Sequence, residues 1–249
     1  CALPICSELI FRQAGGVYPG PLEWTPAGAV EMMDANGVAT GVSSVSAPGT
    51  WFGDVAQGRM LSRICNEYAA KIAGDYPGRF GSFAALPLPD VEGSLKEIEY
   101  AFDTLHVDGI KLSTSTGRKW LGDPDFAPVY EELNRRKAIV YTHPGEDACC
   151  VANVRDVPQA LIEFGTSTAR AMAELLFSGS AAKYSDIKFI FSHAGGTFPY
   201  LIRRFLLQAA TDIVLKVGAS TLHMSQDGSI LLEGVNITVK GSGRVDVNP

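Results

Sequence analysis

No cluster or stripe of basic residues occurs in the sequence. Lys and Arg number 21 against 27 Asp and Glu, which gives a formal net charge of −6 at pH 7. The arginine doublets at 135–136 and 203–204 are too short to form a basic surface. Because nucleic acids and anionic membranes are bound mainly through such surfaces, we predict neither as a partner.

Signals for disulfides, a membrane span and a bound dinucleotide are missing as well. The five cysteines are odd in number and include no CxxC pair, so no disulfide framework is expected and a cytoplasmic location is favoured. The most apolar helical stretch, residues 160–177, contains three charged residues and cannot span a membrane. Gly241-Ser242-Gly243 lacks the third glycine and the following helix of a dinucleotide-binding fingerprint.

Strand-like and helix-like patterns alternate regularly from residue 24 onward. Predicted strands occupy 38–45, 80–86, 106–113, 138–143 and 187–193, and predicted helices occupy 27–36, 54–75, 90–105, 123–136, 158–177 and 198–209. This alternation predicts an α/β fold around a parallel sheet. A flavodoxin-like doubly wound sheet and a (β/α)8 barrel share the pattern, so both stay open at this point. The length of 249 residues fits one barrel of about 250 residues.

The last ~40 residues break this rhythm. Residues 212–217 predict a strand or the end of a helix, residues 226–228 a turn, and residues 229–232 and 235–239 strand-like runs. Too few residues follow for two more βα units, so an eight-stranded barrel would not be completed by the ordinary route.

Two of the four histidines have the same sequence context. His143 ends an apolar strand before Pro144-Gly145, and His193 ends another before Ala194-Gly195-Gly196. In barrels, polar residues at the carboxyl ends of strands point into the active-site mouth. Imidazole is also the commonest metal ligand and an acid or base near neutral pH. The pair therefore predicts a shared site, although a hydrogen-bonded packing role stays open for each ring.

The remaining cationic and imidazole side chains carry weaker signals. His106 begins a predicted strand, which indicates a structural role, and His223 in the irregular tail suggests no function. One of Arg203 and Arg204 could grip a substrate carboxylate through a bidentate contact, and a surface salt bridge explains either arginine equally well.

Four segments resemble the amidohydrolase-related family, which includes aminocarboxymuconate-semialdehyde decarboxylase and the hydroxybenzoate and 6-methylsalicylate decarboxylases. They are residues 83–89 (FAALPLP), 108–110 (DGI), 142–144 (THP) and 191–199 (FSHAGGTFP), within a similarity over roughly residues 10–208. The resemblance implies a TIM-like (β/α)8 barrel with one divalent metal ion, zinc or manganese, at the carboxyl ends of the strands. It also implies a single domain over 1–249, with 1–10 and 210–249 departing from the family pattern.

The resemblance further implies roles for three residues. His143 matches the metal-binding histidine of the fifth strand, and His193 matches the catalytic histidine beside the metal. Arg204 falls where some relatives place an arginine that binds a substrate carboxylate in the neighbouring subunit, which implies a homodimer.

Two departures from the family pattern leave the first and last strands incomplete. The first-strand HxH pair would fall near Leu3 and Ile5, neither of which can bind metal. No aspartate in a strand context matches the metal-binding aspartate of the eighth strand, because Asp246 lies in a polar tail. The expected function is a metal-dependent decarboxylase of a small aromatic or unsaturated carboxylic acid. The alternatives are a metal-dependent hydrolase of the same superfamily and a truncated, inactive homologue.

Overall fold

The computed structural model describes residues 24–145, 157, 159–206, 212–217, 220–225, 227 and 229–234. The chain divides into two compact units, Cys1–Pro199 and Tyr200–Pro249. Within the described ranges, no helix combines the length and the apolar character that crossing a membrane requires.

A five-stranded parallel sheet forms the centre of the first unit. Its strands are β1 (Gly41–Ser44), β2 (Phe80–Ala85), β3 (Gly109–Ser113), β6 (Ile139–His143) and β7 (Lys188–Phe191), and a two-stranded hairpin of β4 (Ser115–Thr116) and β5 (Lys119–Trp120) follows β3. The sheet order β1-β2-β3-β6-β7 follows the chain without reversal. A doubly wound sheet reverses its order at a switch point, so the flavodoxin-like alternative is excluded. The predicted α/β class and parallel sheet are confirmed.

Helices connect successive strands of the sheet. They are α1 (Pro26–Ala35), α2 (Val55–Asp75), α3 (Val91–Asp103), α4 (Ala127–Arg135), α5 (Gln159–Phe177), α6 (Ser180–Lys183) and α7 (Phe198–Leu206), with a 3₁₀ turn at Pro124–Phe126 before α4. The first three begin at side-chain caps, because Thr25, Asp54 and Asp90 each accept a hydrogen bond from a backbone N–H three residues later. These caps explain why the predicted starts agree with the structure to within about a residue.

The two faces of the sheet have different surroundings. Ile110, Leu112 and Val140 lie on one face, here called the helix face, and are buried in the main hydrophobic core. Because side chains alternate along a strand, Lys111 and His143 point to the opposite face, here called the inner face. Register pairs Ala85 with Lys111, Lys111 with Tyr141, and Ser113 with His143, so these five side chains line the inner face together.

Two expectations about the first unit are wrong. His106 does not begin a strand: it lies exposed in a turn with a φ of 54°, and β3 begins at Gly109. The hydrogen bond from the Val107 N–H to the Ala101 carbonyl holds this segment to the end of α3 instead. Cys65, buried in α2, is disulfide-bonded, although the sequence favoured reduced cysteines.

The second unit contains a three-stranded antiparallel sheet. Strands β8 (Asp212–Val217), β9 (Ser220–Ser225) and β10 (Ile230–Glu233) pair in the order β10-β9-β8. Residues 212–217, predicted as a strand or a helix end, are therefore a strand. His223 lies on β9, which the pattern did not predict. The predicted strand at 235–239 lies outside the described residues, and so do Leu3, Ile5 and Asp246.

A buried asparagine ties α2 to the end of β2. Asn66 is 2% exposed, and its side-chain amide donates to the Ala85 carbonyl at 2.9 Å and accepts from the Ala85 N–H at 2.8 Å. The same Nδ2 donates to Glu97 at 2.9 Å, and Glu97 also accepts two hydrogen bonds from Arg63. One side chain therefore satisfies both backbone groups of the last residue of β2.

We expect Asn66→Ala to lower the free energy of unfolding by about 3 kcal/mol, because it leaves two buried backbone groups of Ala85 without partners. Urea denaturation measures the loss. Lys71→Ala, an exposed change on the same helix, is the control and should stay within about 0.5 kcal/mol of the wild type. Equal effects of the two substitutions would contradict this role of Asn66.

Candidate functional site

Two imidazoles meet at the carboxyl ends of adjacent strands. His143 is the last residue of β6, and its ring centroid lies 5.2 Å from that of His193 at an interplanar angle of 65°. His193 does not end β7 as predicted, because that strand stops at Phe191 and His193 begins a short 3₁₀ turn. The structure thus brings His143 and His193 together as predicted. His143 lies on a strand, and His193 lies on a turn.

An aromatic side chain from α5 contacts both rings. Phe164 stacks on His193 with a centroid distance of 5.7 Å and meets His143 edge-on at 6.1 Å. Aromatic packing on two sides restricts the orientation of each imidazole. The site is therefore assembled from β6, the turn after β7 and one helix.

Hydrogen bonding and burial set the protonation of His143. Its Nδ1 lies 2.8 Å from the Pro144 carbonyl oxygen, which can only accept, so Nδ1 carries the proton and Nε2 has the free lone pair. Burial lowers the pKa of His143 to about 4, and the positive charges of Lys111 and His193 act in the same direction. The ring is neutral at pH 7. A neutral imidazole whose other nitrogen donates to a carbonyl is the usual arrangement of a metal-binding histidine.

Close packing of the backbone against α5 fixes the position of the turn that carries His193. Its side chain is exposed, its Nδ1 lies 3.4 Å from the Ser192 hydroxyl, and both His193 and Ala194 have left-handed backbones. Three residues after His193, Gly196 packs against α5, where an added Cβ would lie 2.1 Å from the Gly165 carbonyl oxygen. That carbonyl accepts a hydrogen bond from the Thr197 N–H at 3.2 Å. Only glycine fits at 196, so the glycines after β7 serve to dock the His193 turn on α5.

A cavity of about 120 Å³ opens at the same edge of the sheet. Loops after β1, β2, β3 and β6 line it, and its wall includes Trp51, Lys111, Ser113 and Gly145. Neither imidazole lines the cavity, but Ser113 pairs in register with His143 and Gly145 follows His143 by two residues, so the cavity lies near the end of β6. Sequence reasoning did not assign Lys111 to the site. A lysine within the apolar run Gly109–Ser113 was the one signal that could have found it.

Lys111 is the most deeply buried charge that lines this cavity. Lys111 is only 4% exposed, and its Nζ donates a hydrogen bond to the Ser113 hydroxyl at 2.8 Å. Desolvation lowers the pKa of the Lys111 ammonium to about 8. The group is therefore still largely protonated at pH 7.

The described residues do not form a complete metal site. His143 offers a free Nε2, but no three His, Cys, Asp or Glu side chains cluster around a common point in the ranges that the structure describes. A catalytic zinc ion commonly has three protein ligands. Arg204 lies in α7, and its side chain is outside the described residues. The proposed roles of His143, His193 and Arg204 stay predictions.

Residues 18–215 match the amidohydrolase family. The chain belongs to this family. The amidohydrolase match spans the whole parallel sheet and both histidines of the site. The recognition of the family from residues 83–89 and 191–199 is thus confirmed.

Relatives in the amidohydrolase family include fungal decarboxylases. Decarboxylase yanB of Aspergillus niger is 41% identical over 209 residues, which cover 78% of this chain and 56% of the relative. The 6-methylsalicylic acid decarboxylase of Penicillium expansum is 42% identical over 171 residues, which cover 67% of this chain and 53% of the relative. This chain therefore spans about half the length of the curated relatives it matches.

A solved structure shows the same fold with a metal ion. Dihydroxybenzoic acid decarboxylase from Polaromonas sp. JS666, crystallised with manganese and the inhibitor 2-nitroresorcinol, superposes with a TM-score of 0.69 at 26% identity. The superposition covers 79% of this chain and 65% of the other.

We expect Gly196→Ala to lower the free energy of unfolding by about 2–4 kcal/mol, because its Cβ would overlap the Gly165 carbonyl on a left-handed backbone. Thermal or urea unfolding measures the change. Gly74→Ala is the matched control: it lies exposed in α2 with nothing within 4 Å of the added Cβ, and should stabilise by about 0.5–1 kcal/mol. A neutral Gly196→Ala would show that the turn does not depend on this contact.

Proposed function

We propose that this chain forms the core of a metal-dependent decarboxylase that acts on a small aromatic carboxylic acid. The observation that carries the proposal is the His143–His193 pair, whose rings lie 5.2 Å apart beside a cavity at the carboxyl edge of a parallel sheet. The decarboxylases among its relatives support the reaction class. We further propose that the five strands are part of a (β/α)8 barrel, because their sequential order and the family match agree with that fold.

The two histidines take different parts in this proposal. His143 would bind the ion through Nε2, since Nδ1 is committed to the Pro144 carbonyl. A divalent ion, zinc or manganese, supplies Lewis-acid polarisation of the acid's oxygen atoms when bound. His193 is exposed beside it and would donate a proton to the ring carbon that bears the carboxylate. The carbon–carbon bond then breaks, its electron pair returns to the ring, and carbon dioxide leaves.

Three further features belong to the same proposal. Arg204 would bind the substrate carboxylate across a homodimer. The enzyme would be cytoplasmic, although the disulfide at Cys65 weighs against a reducing compartment. The manganese of the Polaromonas relative supports a divalent ion.

We expect His143→Ala to abolish metal binding, because it removes the one described imidazole with a fixed free lone pair. Elemental analysis of the purified full chain gives the metal content per chain. His106→Asn is the control, since asparagine tolerates the left-handed backbone of this exposed position, and it should keep the wild-type content. Wild-type protein without metal would favour the inactive homologue.

We expect His193→Asn to lower kcat for carbon dioxide release by about 10²–10⁴-fold, because it removes the proton donor, while metal content stays unchanged. Release from 6-methylsalicylate and 2,6-dihydroxybenzoate is the assay. Wild-type turnover that His193→Asn leaves intact would remove this residue from the mechanism, and hydrolysis of esters or amides without decarboxylation would favour a hydrolase.

A further inference from the structure

The cavity at the carboxyl edge of the sheet has one charged side chain among its described lining residues. That side chain is Lys111, which is 4% exposed, and no aspartate or glutamate lines the cavity with it in the part of the chain that the structure describes. Burial alone lowers the pKa of its ammonium to about 8, so no carboxylate charge acts on it there. A buried cation without an anionic partner is costly, and an anion beside it would offset that cost.

A hydroxyl group next to the ammonium provides a second donor. Ser113 Oγ accepts a hydrogen bond from Lys111 Nζ at 2.8 Å, and its own proton can still be donated to a ligand. The ammonium has two further N–H groups. Two donors 2.8 Å apart suit the paired oxygen atoms of a carboxylate better than they suit a single spherical ion.

The size and walls of the cavity restrict what else the ligand can contain. Val45, Leu86 and Leu88 provide apolar wall. A dry cavity of about 150 Å³ is known to hold benzene, so a volume of about 120 Å³ accommodates a carboxylate with a short carbon chain and is too small for benzoate. A short aliphatic acid in its ionised form matches this combination of donors and walls.

The cavity is separate from the imidazole pair. Neither His143 nor His193 lines it, and Phe164 of α5 packs on both rings instead. Contacts to Lys111 and contacts to the imidazoles therefore belong to two different sites.

We propose that this cavity is a binding site for a short aliphatic carboxylate, such as acetate or propionate, held by Lys111 and Ser113. One carboxylate oxygen accepts from the Lys111 ammonium, the other accepts from the Ser113 hydroxyl, and the carbon chain packs against Leu86 and Leu88. The site goes beyond the proposed decarboxylase, since it requires neither a metal ion nor the imidazole pair.

Displacement of a fluorinated probe tests this site on the full chain. We expect fluoroacetate to bind saturably, as followed by fluorine nuclear magnetic resonance, and acetate to displace it. Acetamide has nearly the same shape without the charge and should compete about tenfold or more weakly, because it loses the charge-assisted hydrogen bonds. Equal competition by acetate and acetamide would overturn the anion site, and so would fluoroacetate binding that does not saturate.

Two lysine variants show whether the buried ammonium is responsible. Lys111→Met keeps an unbranched side chain without the charge and should weaken fluoroacetate binding about tenfold to a hundredfold. Lys188→Met changes an exposed lysine on β7 and should leave the affinity unchanged. An affinity that survives Lys111→Met would overturn the proposal.

Ser113→Ala tests the second donor and keeps the buried charge in place. It should weaken fluoroacetate binding about twofold to tenfold, because one neutral hydrogen bond is lost. This variant and the acetamide comparison decide the matter even where Lys111→Met does not fold. Unchanged affinity in Ser113→Ala would overturn the two-point contact.

Benzoate separates this site from the site of an aromatic substrate. We expect benzoate not to displace fluoroacetate at concentrations at which acetate does, because the cavity is smaller than one that holds benzene. Displacement by benzoate as effective as that by acetate would overturn the assignment to short acids. The decarboxylase proposal is tested by carbon dioxide release and metal content, so either proposal can fail while the other stands.

Discussion

The parallel register between β3 and β6 is the constraint on which the site depends. It places Ser113 beside His143 and Lys111 beside Tyr141, all on the inner face. Because side chains alternate, a slip of one residue would turn Lys111 into the helix face and bring Ile110 and Leu112 out of the core. The apolar core thus fixes the register, and the register sets the depth of the ammonium below the imidazole.

Burial is the main cause of the neutral state of His143, and like charges at this edge of the sheet add to it. Lys111 and His193 both disfavour a proton on His143, and burial acts in the same direction. The imidazole therefore stays neutral while the more basic ammonium keeps its charge at pH 7. A neutral lone pair suits a cation, and a buried ammonium suits an anion. The two groups consequently differ in charge although they lie on the same face of the sheet.

The elements that sequence predicted well are those with local causes. Apolar strands and side-chain caps such as Asp54 and Asp90 depend on neighbours within a few residues, and five strands and six helices were placed from them. His143 and His193 were found because each follows an apolar strand and precedes glycine. Strand β9 was missed, because it has only two apolar residues, Leu222 and Met224, among four polar ones.

The features that sequence could not predict arise from long-range contacts. The left-handed backbone of His193 depends on Gly196 meeting Gly165, 31 positions earlier in the chain, and no local pattern contains that information. Lys111 is buried on a strand whose cavity is also walled by the loops after β1 and β2. The alternation of side chains along the strand places Lys111 on the inner face. It does not predict whether Lys111 is exposed to solvent or buried there.

The cavity and the imidazole pair have different structural origins in the first unit. The cavity is lined by loops after β1, β2, β3 and β6, all in the described part of the first unit, so its size and its buried ammonium are set by the central strands. A metal centre needs more ligands than the His143 imidazole that these strands provide. The imidazole pair is instead packed by Phe164 of α5 and carried in part by the turn after β7, so the cavity walls and the imidazole pair can vary independently.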